Sequence, residues 1–320
     1  MSGPRVLVTG ANGFLGRSVV AGLAASPDVE LVVGTDLRLP DAPTPRVVHE
    51  IADVTHAAAV DDAIGRHGID TVVHLASIVN PGPGMSQDLA HRVDVDGTRH
   101  VLDACIAHDV RRLVVSSSGA AYGYHADSPP WITEDQPVRG NDAFAYSRHK
   151  RLVEQMLAVE REAHPRLEQV VLRIGTILGR TVDNQITDLF RAKRLLRIAG
   201  SDSPFVFIWD EDLVAIVLQA VTGDVTGIFN VAGDGAMPIQ EIAAALGKTT
   251  LPVPEPVLRA ALAVAKPLRL TQYGPEQTKF LQFRPVLDNT RLKDVFGYTP
   301  THTSREAFAA WQAAQDPTRL

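Results

Sequence analysis

The stretch Val6 to Gly16, reading Val-Leu-Val-Thr-Gly-Ala-Asn-Gly-Phe-Leu-Gly, constrains this chain more than any other. Three apolar β-favouring residues run into a turn with glycines at 10, 13 and 16, and a helical pattern then continues to Ala25. Glycine at those places keeps the turn tight, lets the backbone approach a bound group and lets the new helix pack flush on the strand. A helix beginning there offers free N–H groups and a partial positive charge to a phosphate. The spacing is G-x-x-G-x-x-G rather than G-x-G-x-x-G, so the glycines by themselves are also compatible with a purely structural turn.

The residues beyond the turn narrow the possibilities. A second strand, Leu31 to Thr35, ends at Asp36, where a carboxylate can bind a ribose 2′-hydroxyl and repel a 2′-phosphate, which favours NAD over NADP. Arg38 either reaches a phosphate or is solvated at the strand end. A third strand, Val47 to Ile51, leads to Asp53, placed near the adenine end of a dinucleotide or as the cap of a helix beginning near Thr55. Asp70 to Leu75 reads as a fourth strand, leading through Ala76 and Ser77 into a Gly/Pro-rich loop that ends near Gly84. A helix is expected over Ser86 to His108, and a fifth strand, Arg112 to Ser116, runs into Ser116-Ser117-Ser118. Strands alternating with helices predict an α/β chain with a Rossmann-type, doubly wound parallel sheet and a ligand over the carboxyl ends of its strands. Ser77 and Ser118 both lie at such ends.

At 320 residues the chain exceeds one ordinary domain, and one two-lobed unit is expected, with 45% hydrophobic residues to build its core. A formal charge of −6 gives no reason to expect nucleic-acid binding. The single Cys105 cannot form an internal disulfide, and its apolar helical setting, Val101 to Ala107, makes it a core thiol. Histidines are scattered without metal-binding spacing, so no metal site is expected. No apolar run is long enough to span a bilayer, and the first strand follows the amino terminus too closely for a signal peptide. The expectation is a cytoplasmic protein that does not enter a membrane.

A proline-punctuated connection from Tyr124 to Ala143 is expected to be a lid, a substrate loop or a surface excursion. After it, Tyr146 and Lys150 open a helix reaching about Ala163, and a spacing of four puts both on one face. An adjacent ammonium and an oxidised nicotinamide would favour the phenolate of Tyr146, making it a proton acceptor.

With these pieces in order, the chain resembles the NAD-dependent epimerase/dehydratase family of extended short-chain dehydrogenases/reductases, typified by UDP-glucose 4-epimerase. The resemblance rests on Thr9-Gly10 to Gly16, Asp36, Asp53, His74-Leu75-Ala76, Gly97-Thr98, Ser116 to Gly123, Tyr146 to Lys150 and Leu172-Arg173. It continues through Phe207 to Leu213, Phe229-Asn230-Val231 and Phe296 to Pro300. It implies that Tyr146 is the acid/base, that Lys150 tunes it and binds the nicotinamide ribose, and that Ser118 hydrogen-bonds the reacting oxygen. It further implies an NAD site on Gly10, Asn12, Gly13, Phe14, Leu15 and Gly16, on Asp36, Leu37 and Arg38, and on Asp53 and Val54. Leu75, Ala76, Ser77, Ser116 and Ser117 complete that site with Tyr146 and Lys150. Residues 1–175 would bind the nucleotide with a return segment at about 205–233, and 176–204 and 234–320 would form the smaller substrate-binding lobe. A homodimer through a four-helix bundle is also implied, from the helices near Ser86 to His108 and Ala143 to Ala163.

The substrate side departs from the family. Ser118 is followed by Gly119 and Ala120 instead of the Asp-Glu pair of sugar dehydratases, which disfavours that reaction. Thr176 stands where an Asn is frequent in L-R-x-x-N-V-Y-G, and Phe205 and Trp209 stand where many epimerases have Arg and His. Losing a cation for aromatics suits an apolar or stacked group better than a diphosphate, although Arg284 can replace a second nucleotide-contacting Arg. The candidate substrate residues are Ser77, Ser118, Tyr122, Thr176, Phe205 and Arg284. Arg191 to Arg197 reads as a basic helix, solvated or clamping an anion, and Val257 to Lys266 as an apolar helix forming core, an oligomer contact or a lid. A nucleotide-sugar epimerase-like enzyme is the first reading. A dehydrogenase or reductase of an apolar alcohol, of steroid or dihydroflavonol type, is the second. A catalytically silent NAD-binding sensor is the third, and the intact Tyr146 and Lys150 argue against it.

Overall fold

The computed structural model describes residues 3–79, 85–268, 270–271 and 273–316, so the end of the loop expected near Gly84, residues 80–84, lies outside them. The chain begins with β1 (Arg5–Thr9), α1 (Phe14–Ala25), β2 (Leu31–Asp36), β3 (Val47–Ile51), α2 (Ala57–His67) and β4 (Thr71–His74). The helix expected over Ser86 to His108 is α3 (Gln87–His91), a π-helical turn (Arg92–Asp96) and α4 (Gly97–Ala107) in succession. Next come β5 (Arg112–Ser118), a 3-10 turn (Gly119–Tyr122), α5 (Ala145–Ala163) and β6 (Glu168–Ile174).

A second group comprises β7 (Thr176–Leu178), α6 (Gln185–Arg191), β8 (Arg194–Ile198), β9 (Phe207–Trp209), α7 (Asp210–Thr222) and β10 (Gly227–Val231). The carboxyl-terminal part holds α8 (Ile239–Ala245), β11 (Thr249–Val253), α9 (Glu255–Ala265), α10 (Gln277–Gln282) and α11 (Ser304–Ala314).

Seven strands form one parallel sheet in the order β10-β6-β5-β4-β1-β2-β3. Its inner strands are runs of Val, Leu and Ile because both faces are covered. On one face α1 and α7 pack through Val19, Leu23, Ile216 and Val217, and on the other α2, α4 and α5 pack through Ile64, Leu102, Cys105 and Leu157. Each apolar side chain so enclosed contributes on the order of 2 kcal/mol relative to exposure. The strand order reverses between β1 and β4, and the crevice above that point is where an open parallel sheet receives its ligand.

Beyond the sheet, β8 pairs with β11 and β7 with β9. Their core is aromatic: Phe190, Phe205, Phe207, Trp209, Phe308 and Trp311 form one cluster. Two expectations change here. The basic run ending at Arg197 is not a helix, because α6 stops at Arg191 and residues 194–198 pair with β11 as a strand, burying Leu195 and Ile198. Nor is α9 core, since none of its residues is buried among the described residues and Val257 and Val264 are about 60% exposed.

Candidate active site

The glycine turn is built as the spacing predicts. Gly10 has φ +69°, and a Cβ there would come within 2.8 Å of Ala76 N, so β1 and the end of β4 approach with no room for a side chain. A Cβ on Gly16 would meet the Gly10 carbonyl at 2.1 Å. The amino terminus of α1 has neither a capping side chain nor an acidic residue in its first turn, leaving its N–H groups and dipole to a ligand. Asp36 lies beside the turn: its Oδ2 accepts the Asn12 N–H at 2.8 Å and its Oδ1 that of Leu37 at 2.7 Å. The Asn12 amide in turn donates to the Arg38 carbonyl, while the Arg38 side chain is exposed.

Above this crevice lies a cavity of about 550 Å³. Gly10, Gly13, Phe14, Leu15, Gly16 and Leu75 line one side of it. Ser77, Ser116, Ser118, Tyr146, Lys150, Thr176, Phe205 and Arg284 line it as well. Asn12, Asp36, Leu37, Arg38, Asp53, Val54 and Ala76 stand outside this lining. Asp53 accepts the Thr55 N–H at 2.8 Å and does not cap α2, whose first turn has no side-chain cap. Val54 is core, packed with α2 and α4.

Two expected residues face away from the cavity. Side chains alternate along a strand, so with Ser116 and Ser118 on the cavity side, Ser117 points to the opposite face and donates to Glu154 Oε1 at 2.5 Å. Tyr122 is buried at the end of the 3-10 turn, its hydroxyl donating to Asn230 Oδ1 at 2.8 Å and accepting from Arg173 Nη1 at 2.7 Å. Trp209 likewise belongs to the aromatic core and does not line the cavity. Tyr124 lines it instead, meeting Phe144 and Phe280, which line it too, edge to face at 5.2 and 5.4 Å. Sequence reasoning missed these three rings, because Tyr124 opens the proline-punctuated connection, Phe144 stands just before α5 and Phe280 lies in a short helix, without a periodic pattern.

Helix α5 brings Tyr146 and Lys150 together as spacing requires, with Nζ 5.6 Å from the ring centroid. Lys150 Nζ donates to the Ser116 carbonyl at 2.9 Å. Burial pushes the Tyr146 phenol up to about 12, the nearby Ser118 hydroxyl draws it down and the Asp94 carboxylate pushes it up. The expected lowering is therefore not a property of the protein alone, because burial outweighs its neighbours here. Lys150 is pushed down by burial, with Asp94 and Glu154 working against that.

Arg284 keeps a cation in the cavity. Its guanidinium lies 3.8 Å from the Phe205 ring centroid and 4.8 Å from that of Phe280, within stacking range of both. Nη1 donates to the Ser203 carbonyl at 2.6 Å, while Nε is buried without a hydrogen-bond partner. Burial lowers its pKa to about 9, against the pull of Tyr124. Phe205 is thus the platform for a cation, and not the sign of a pocket without one. Among the described residues no group of three or more His, Cys, Asp or Glu is placed to hold a metal ion, and no helix is long and apolar enough to cross a membrane.

The sequence model of the NAD dependent epimerase/dehydratase family matches residues 6–232. This chain belongs to that family. As a member it is an enzyme of the extended short-chain dehydrogenase/reductase class, its cofactor is NAD, and the side-chain-free approach at Gly10 and the free amino terminus of α1 fit that group. A 3-diazoavenalumate denitrifying reductase of Streptomyces sp is 29% identical over 310 residues, covering 94% of this chain and 97% of the relative. A UDP-glucose 4-epimerase of Azospirillum brasilense is 32% identical over 182 residues, 55% of this chain and 50% of the relative. In fold the chain is similar to the Bordetella bronchiseptica enzyme WbmG, solved with NAD and UDP, with a TM-score of 0.73 at 20% identity over 98% of this chain and 94% of the other.

Proposed function

We propose that the enzyme transfers hydride at a secondary alcohol of an anionic, nucleotide-sugar-like substrate and returns it, as an epimerase does. The observation that carries this reading is that Ser118, Tyr146 and Lys150 line the same cavity as Gly10, Gly13 and Gly16 of the glycine turn. Bound NAD supplies the hydride acceptor and donor. Ser118 Oγ, which already accepts the Ala120 N–H at 3.2 Å, positions the substrate oxygen, and Tyr146 Oη takes and later returns the hydroxyl proton. Lys150, fixed by the Ser116 carbonyl, supplies the positive charge that favours the phenolate.

Asp36, Leu37 and Arg38 serve the adenine ribose in this reading, with NADP disfavoured by the Asp36 carboxylate, and residues 176–204 and 234–320 form the substrate lobe. Arg284 is the anion anchor, its Nε the donor left to a phosphate or carboxylate oxygen. Two copies pair α4 and α5 across a two-fold axis, where Val159 stands 64% exposed on α5; sedimentation velocity reads that assembly.

A second reading, reduction of a more apolar substrate, is favoured by the Tyr124, Phe144 and Phe280 wall. Denaturing the purified enzyme and quantifying released NAD(H) and NADP(H) separates the two. Near-stoichiometric NAD is expected for a cofactor recycled in place. A site that empties and refills reversibly selects the reductase. In either case Tyr146→Phe is expected to lower turnover by about a hundredfold or more while NAD still binds, and full activity in that variant excludes the mechanism.

A further inference from the structure

The π-helical turn Arg92–Asp96 interrupts the run between α3 and α4, and irregular turns of this kind gather at functional sites. It turns Asp94 inward, where the residue is only 3% exposed. Oδ1 accepts Ser77 Oγ at 2.9 Å and the Ile78 N–H at 2.7 Å, and Oδ2 accepts Nδ1–H of His149 at 2.9 Å. A carboxylate can only accept, which fixes the His149 proton on Nδ1. The Nε2 of that ring is buried without a hydrogen-bond partner, and the ring meets His91 edge-on at 5.3 Å. One carboxylate thereby ties the segment after β4, whose Ser77 lines the cavity, to the residue preceding Lys150 on α5.

We propose that Asp94, held by Ser77, Ile78 and His149, is a positioning residue that sets the charge of the Tyr146 and Lys150 pair, and so the pH at which the site exchanges its proton. This rests on the reading of Tyr146 as the base. A buried carboxylate requires compensation, and Lys150 is the cation whose own ammonium is held by a carbonyl instead of a carboxylate. The other titratable groups around the pair are His74 from β4, Glu154 from α5, His149 with His91 behind it, and Tyr124 across the cavity. Asp94 favours the charged form of Lys150 and disfavours the phenolate of Tyr146. Removing its charge therefore moves both titrations in one direction, toward lower pH.

The test is an ultraviolet difference titration of the full chain with added NAD, from which the same titration of Tyr146→Phe is subtracted to isolate one phenol. In Asp94→Asn the amide oxygen still accepts from Ser77 and Ile78, and its NH2 group faces a His149 ring that can change tautomer. The ionisation of Tyr146 is expected to move down by about one pH unit, the low end of what a near charge imposes. Ser77→Ala, which removes a hydrogen bond and keeps the charge, is expected to leave it in place. Asp94→Ser gives the same reading should the Asn variant not fold. The proposal is overturned if the uncharged variants titrate with the parent, or if Ser77→Ala shifts the phenol as far as they do. No turnover enters this titration, so a fully active Tyr146→Phe sinks the catalytic reading and leaves a shifted phenol standing.

Discussion

The side chain of Arg173 shows how much rests on single residues beneath the cavity. Its guanidinium meets Glu154 through Nε at 2.9 Å and Nη2 at 2.6 Å, and it donates to Tyr122 and to the Glu134 carbonyl. Burial works against its charge and the Glu154 carboxylate outweighs that, holding its pKa above the ordinary arginine value. Glu154→Gln leaves the cation buried without its carboxylate, and a loss of about 3–5 kcal/mol is expected from urea unfolding. An unchanged midpoint would show that water reaches the pair. Neither Tyr122 nor Ser117 was legible as part of this network. Both stand beside residues of the same type that do face the cavity, and only strand phase and the 3-10 turn decide which is which.

At the scale of elements, the strands and helices from β1 to α5 were readable because Val-rich runs and glycine punctuation carry them in the local sequence. The failure at β8 has a physical cause. Arg, Lys and Leu favour helix by intrinsic propensity, and the pairing with β11, distant in the chain, overrides it. The glycine turn permits a sharper prediction. Gly16→Ala places a methyl group at 2.1 Å from the Gly10 carbonyl, so the first turn of α1 must shift. A drop in NAD affinity of tenfold or more is expected from equilibrium dialysis, with far-ultraviolet dichroism retained. Parent-like affinity would show that the turn carries no phosphate.

For the molecule as a whole, the response to acid follows from His74, enclosed between Thr9 and Thr98 hydroxyls at 2.7 and 3.0 Å. Burial first, then the charge of Lys150, pushes it from 6.5 to about 3, with Asp94 partly opposing. The unfolded chain therefore binds a proton that the folded chain refuses, and stability falls as pH drops below 6.5 toward 3. By about pH 5 this one residue removes roughly 2 kcal/mol, and His74→Gln is expected to flatten the dependence of denaturation midpoint on pH over that interval. A slope identical to the parent's would place the acid sensitivity elsewhere.

The edge strand β10 enters the parallel sheet only after the chain has left it at β6 and passed through β7, α6, β8, β9 and α7. It brings Asn230, which accepts the Tyr122 hydroxyl and donates to the Ile132 carbonyl. A chain emerging from the ribosome and extending only to Ile174 thus presents an open strand edge and an incomplete polar cluster. Completion comes more than fifty residues later, at Val231. The seven-stranded sheet therefore cannot be completed before β7, α6, β8, β9 and α7 have been made. Cleavage between Gly175 and Phe205 is expected to yield a piece that aggregates through the bare edge of β6 rather than a small cofactor-binding protein.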